Sequence, residues 1–91
     1  MLSINELKAK YTMADKTSDT YAELIKDTTE IKMAILKSKM SLVNSVQNKY
    51  IRYEITRESY EEQIKIINEE FDVLFKELDE AKASIAALYF S

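Results

Sequence analysis

The chain contains no glycine, proline, cysteine, histidine or tryptophan, and each absence closes off a class of chemistry. Without His or Cys, the usual ligand sets for zinc, haem and iron–sulfur clusters cannot be assembled, nor can a Ser-His or Cys-His nucleophile pair. Without Gly there is no phosphate-cradling loop of the nucleotide-binding kind. Without Gly or Pro the chain also lacks strong internal punctuation. What is present is 91 residues, 46% hydrophobic and 32% charged, too apolar and too balanced in charge for a disordered segment. Such a chain is expected to form one small domain over residues 1–91. No catalytic residue, cofactor or metal ligand is expected, and the chain reads as a non-enzyme.

Most of its residues are helix formers: Ala, Leu, Lys, Glu, Met and Gln, with Ile added. The expected fold is all-α. A short N-terminal helix over residues 3–14 precedes a long antiparallel helical hairpin, or coiled coil, of helices over 20–54 and 59–90. The clearest periodicity is in the last third, where Tyr60, Ile64, Ile67, Phe71, Leu74, Leu78, Ala81, Ile85 and Leu88 alternate spacings of 4 and 3. A period of about 3.5 is the seam of a helix packed lengthwise on another. Phe75, Tyr89 and Phe90 widen this stripe beyond a single neighbour.

The middle segment carries two stripes. One runs through Leu24, Thr28, Ile31, Ile35 and Leu42; the other through Ile25, Met33, Leu36, Met40, Val43 and Tyr50. A helix apolar on so broad an arc is expected to be covered on two sides. The first helix presents Ile4, Leu7, Tyr11 and Ala14.

Three segments fit the capping-box pattern, in which a hydroxyl accepts from the backbone three residues on and a Glu reaches back. They begin at Ser3, Thr20 and Ser59, with Glu6, Glu23 and Glu62 as the reciprocal residues. The polar run over residues 15–19 is the clearest loop. A break between the long helices is expected at residues 55–58, because Lys49 and Arg52 suit a helix C-terminus and Glu61 and Glu62 suit an N-terminus. With no Gly there, a left-handed capping residue has to be a costlier type.

The net charge is −3 but unevenly spread. Residues 31–53 carry five cations (Lys32, Lys37, Lys39, Lys49, Arg52) and no acid. Residues 54–80 carry ten acids against Arg57, Lys65 and Lys76. A turn near residue 56 lays these blocks side by side, where their effect is on register and orientation more than stability.

The adjacent acids Glu61-Glu62, Glu69-Glu70 and Asp79-Glu80 point about 100° apart on a helix, so none converges on a reaction site. The cations form no Arg-rich stripe, which makes nucleic-acid binding a weak third reading. The apolar segment over residues 33–43 is broken by Lys37 and Lys39 and is far short of the ~20 residues of a membrane span. No secretory signal is visible, so a soluble cytoplasmic chain is expected, with signal-independent export or a virion location left open. The Trp-x-Gly turn of type VII secreted hairpins is absent, as is the Pro-containing turn of type III needle subunits. The composition is similar to that of small Lys/Ile/Asn/Tyr-rich helical proteins of bacteriophages, a likeness that carries no functional residue across.

A hairpin alone leaves outer apolar arcs wet while ordering its chain at on the order of 1–2 kcal/mol per residue. The expectation is therefore a helical interaction module that self-associates as a homo-oligomer or binds a protein partner. It would act as an adaptor, chaperone, inhibitor or assembly factor in a bacterial or phage setting. The alternative is a structural subunit of a virion or secretion assembly. The residues expected to face a partner or another copy are Phe75, Tyr89, Phe90, Met33, Leu36 and Met40. No small-molecule substrate is expected.

Overall fold

The structure, a computed structural model, describes residues 2–90. It consists of α1 (Ile4–Met13), α2 (Ser18–Ile51) and α3 (Arg57–Phe90), with no strand among the described residues. The fold is the all-α hairpin with a short leading helix. It is a rod 55 Å long and 18 by 16 Å across.

The helix ends follow from side chains that satisfy backbone groups left over by the helical ladder. Ser3 caps α1 by accepting from the Glu6 amide at 3.1 Å. The expected start of the second helix at Thr20 is corrected, because Thr17 is the cap and its Oγ1 accepts from the Thr20 amide at 3.2 Å. The third helix likewise begins before Ser59. Thr56 Oγ1 accepts from the Ser59 amide at 3.1 Å, while the Ser59 hydroxyl accepts from Gln63 Nε2. In both places a Thr three residues upstream takes the role, since only an extended residue ahead of the first turn can aim its oxygen at the free amides.

The turn between α2 and α3 also lies earlier than residues 55–58. α2 ends at Ile51 and Tyr53 adopts a positive φ of 62°. The Glu54 amide bonds the Lys49 carbonyl at 2.9 Å and the Tyr53 amide bonds the Tyr50 carbonyl at 3.1 Å. These are the two bonds of a Schellman cap, with tyrosine in the left-handed position that glycine usually fills. The Tyr53 ring is 94% exposed, so the conformation is held by the backbone and not by packing of that ring.

α1 terminates without a left-handed residue. Instead the Lys16 ammonium folds back and donates to the carbonyls of Tyr11, Thr12 and Ala14 at 2.7–3.0 Å. A cation at a helix C-terminus is also favoured by the helix dipole.

Two core clusters run along the rod. At the open end α1 packs into the hairpin, and Leu7, Tyr11, Leu24, Ile31, Leu78 and Ile85 form the buried cluster. Toward the turn, Val46, Ile67 and Phe71 are buried with Val43, Ile55, Tyr60, Ile64 and Phe75 packed around them. Thr28 is the buried polar residue of the core, and its hydroxyl is satisfied by the Leu24 carbonyl at 2.6 Å. α1 has ten residues and spans about 15 Å, against about 51 Å for each long helix. It therefore makes a three-helix layer over only the open end.

The α2/α3 register is fixed by rings at both ends. Tyr50 stacks on Tyr60, and Tyr21 meets Tyr89 and Phe90. In this register Lys39 is level with Phe71 and Asp72, and Lys32 with Leu78 and Asp79. The basic and acidic blocks thus lie side by side. The ion pairs closer than 4 Å among the described residues are nevertheless Lys10–Asp27 and Arg57–Glu61, neither of which joins α2 to α3.

Candidate protein-binding surface

The periodic stripe of α3 is divided by the structure. Ile67, Phe71, Leu78, Ala81 and Ile85 are buried, and Tyr60 and Ile64 are half-buried. Leu74 is 37% and Leu88 43% exposed, which places both off the seam that faces α2. Phe75 and Tyr89 stand nearer the core instead: Phe75 packs on the turn-end cluster and Tyr89 on the open-end cluster. Both are only partly buried, so each keeps an edge open to solvent beside the core. The physical reason is the difference between 3.5 and 3.6 residues per turn. A straight helix drifts about 20° per heptad from a strict 3.5 repeat. Over the four heptads from Tyr60 to Leu88 the drift approaches one residue, so the buried line moves onto Phe75 and Tyr89.

Of the other residues assigned to a partner surface, Phe90 is exposed apart from its edge contact with Tyr21. Met33 and Met40 are each 62% exposed, and Leu36 is partly exposed between them. The three lie on one outward arc of α2 and line a shallow groove with Ala34, Lys37, Ser41 and Asn44. No described helix crosses it. Lys37 lines it and Lys32 directly precedes Met33, within a stretch that contains no acid.

The other stripe of the middle segment behaves differently along its length. Leu24, Thr28 and Ile31 are buried where α1 and α3 cover them, whereas Leu42 is exposed. Leu42 follows the same face of α2 as Ile31, but α1 has ended by that level. The exposure of Leu74 has the same origin, since it lies two turns before Ala81, a residue against which α1 sits.

A second polar arrangement stands at the open end. The Tyr11 hydroxyl and the Lys10 ammonium both donate to Asp27 Oδ2, the latter at 2.8 Å. Hydrogen bonds from Lys10 and then Tyr11 hold the Asp27 carboxyl below the usual carboxylate range. Burial, reinforced by the bond to Asp27, pushes the Tyr11 hydroxyl up to about 12. The Lys10 ammonium is shifted upward by its bond to Asp27. Tyr89 donates its hydroxyl to the Tyr11 carbonyl at 3.2 Å, and the Lys16 ammonium lies 5.3 Å from the Tyr89 ring centroid. These contacts fasten α1 to both long helices. Sequence reading did not find them, because Lys10 and Asp27 are 17 residues apart and nothing local links them. The one available signal was an Asp on the inner side of an amphipathic helix.

Among the described residues no three acidic side chains converge to hold a metal ion, and no helix is long and apolar enough to cross a membrane. No protein-family model matches the chain, and no curated protein or solved structure matches it. The functional reading therefore comes from surface chemistry alone.

Proposed function

We propose that this chain is a non-enzymatic protein–protein interaction module that works by packing a helix of its partner onto α2. The adaptor, chaperone, inhibitor or assembly-factor roles of a bacterial or phage accessory protein all use this mode. The observation that carries the reading is the outward arc of Met33, Leu36 and Met40, left without a covering element while the hairpin interior is filled. Methionine suits such a surface, because its unbranched thioether side chain adapts to the shape of an opposing helix. Helix-in-groove recognition uses apolar anchors at this spacing, and the bordering lysines favour an acidic rim on the partner.

The test compares proteins retained from host extract by the intact chain with those retained by Met33→Glu/Met40→Glu. Both substitutions fall on exposed positions, so the helical circular dichroism should be unchanged. A specific partner held by the intact chain and lost from the variant supports the reading. Identical retention by both chains removes it.

The second reading, a structural subunit of a virion or secretion assembly, draws on the rod's two tips. Ile51 and Tyr53 are exposed at the turn, and Met13 and Phe90 at the open end. Apolar groups at opposite ends suit head-to-tail repetition, which does not close. Open-ended growth in light scattering with rising concentration favours this reading, and a fixed mass opposes it.

A further inference from the structure

α1 lies over one flank of the α2/α3 groove, bounded by Asp27, Glu30 and Ile31 on α2 and by Glu77, Ala81 and Ser84 on α3. Among the described residues no element covers the opposite flank. At about 100° per residue, the α2 edge of that flank carries Lys32, Leu36 and Lys39. The α3 edge carries Asp72, Phe75 and Asp79. The spacings are 4-3 on one helix and 3-4 on the other. The Tyr50–Tyr60 stack and the Tyr21–Phe90 contact together put Asp79, Phe75 and Asp72 within one residue of the levels of Lys32, Leu36 and Lys39. Each level therefore offers either a base and an acid or two apolar groups.

The geometry points to a second copy of this chain as the occupant of that flank, related by a twofold axis parallel to the helices. This inference rests on the interaction-module reading and names the partner for one face of it. Such an axis preserves level and lays α2 of one copy antiparallel on α3 of the other. Lys32 then meets Asp79 of the second copy, Lys39 meets its Asp72, and Leu36 meets its Phe75, each contact occurring twice by symmetry. The product is an antiparallel four-helix bundle, with Val43 and Ile25 extending the apolar centre along α2.

Two competing arrangements are disfavoured by residues already described. A twofold axis across the helices lays α2 on α2, bringing Lys32 and Lys39 of both copies together with no acid from residue 31 to 53 to offset them. Along the open half of the rod, stacking on the other flank is blocked by α1. Lys32, Lys39, Asp72 and Asp79 take no part in the close ion pairs of the described residues, Lys10–Asp27 and Arg57–Glu61. A face of 55 by 18 Å is on the scale of the ~800 Å² per partner that a stable interface buries.

The experiment uses the full chain and two charge-reversed forms, Lys32→Glu/Lys39→Glu and Asp72→Lys/Asp79→Lys. The intact chain should sediment at twice its 10.6 kDa mass. Each variant alone brings like charges together and should run as a helical monomer. An equimolar mixture should regain the dimer, because each reversed base then faces a reversed acid and each native base a native acid. Recovery on mixing cannot arise from pairing within one chain. As a second measurement, a Leu36→Cys chain should form a disulfide with a Phe75→Cys chain and not with itself.

A helical intact chain that stays monomeric throughout a concentration series overturns the dimer. So does a variant that remains dimeric, a mixture that stays monomeric, or Leu36→Cys linking to itself. The interaction-module reading is tested separately by Met33→Glu/Met40→Glu, whose failure is distinguishable from any of these.

Discussion

Tyr50 and Tyr60 stack across the turn end of the hairpin, their ring centroids 4.7 Å apart and their planes 23° from parallel. Between them the chain reverses through Tyr53 at a φ of 62°. The stack clamps the mouth of the turn and sets the level of every α2 residue against α3. It thereby determines which charges and apolar groups share the uncovered flank.

The left-handed conformation of Tyr53 costs a residue with a Cβ roughly 1 kcal/mol or more. Tyr53→Gly relieves that cost but increases the freedom of the unfolded chain, which offsets part of the gain. The expected net effect is stabilisation of up to about 1 kcal/mol, raising the melting temperature by a few degrees. Tyr53→Val should lower it, because a β-branched residue resists positive φ. Thermal denaturation followed at 222 nm checks both, and a lower melting temperature for the Gly variant would contradict the Schellman turn.

The two leucines of α3 that lie four residues apart should respond very differently to truncation. Leu78 is 1% exposed in the open-end cluster, so Leu78→Ala should cost about 2–5 kcal/mol through lost burial and a residual cavity. Leu74 stands beyond the end of α1, and Leu74→Ala should cost less than half as much. Urea titration measures both, and equal losses would return Leu74 to the seam.

Stability should depend on pH at both extremes through the Lys10–Tyr11–Asp27 cluster. Asp27 is held below its ordinary 3.8, so its contribution is complete above that value and is lost as pH falls through the folded pKa. Tyr11 is raised from 10.0 to about 12, so its contribution is complete below pH 10 and is lost as pH rises toward 12. Lys10 is also raised, and its contribution likewise disappears on the alkaline side. Denaturation midpoints should therefore be flat near neutrality and fall on both sides. Tyr11→Phe should reduce the alkaline fall, and Asp27→Asn the acid one. Unchanged limbs in both variants would remove the cluster from the stability of the fold.

Lys16 replaces a glycine cap at the end of α1 with three hydrogen bonds to carbonyls. Lys16→Met keeps most of the side-chain stem and removes the donors, at an expected cost of about 1–2 kcal/mol. Amide exchange in α1 should accelerate before that of α2 and α3. Protection of α1 that matches the parent chain would show that burial of Leu7 and Tyr11 alone holds it.

The helices were legible in the sequence because helix-forming composition and the spacing from Tyr60 onward agree, with no Gly or Pro to interrupt them. Ser3 was legible as a cap because its hydroxyl acts three residues away. Thr17 and Thr56 were not, since at each start two hydroxyl residues three apart compete, Thr17 with Thr20 and Thr56 with Ser59, and backbone geometry chooses between them. The positions of Leu74 and Leu88 required knowing how far the buried line drifts along α3 and that α1 stops short. The flank that pairs Lys32 with the level of Asp79 was hidden for a related reason: charge blocks are visible in a sequence, but their facing partners depend on a register set by two tyrosines.

That register is the claim on which the remaining statements depend, and proton–proton contacts in a nuclear Overhauser spectrum read it most directly. Cross-peaks between the Tyr50 and Tyr60 rings, together with cross-peaks from Tyr21 to Tyr89 and Phe90, are the predicted result. A fully helical chain that shows neither set would be one unbroken rod or a hairpin in another register, and would contradict the account.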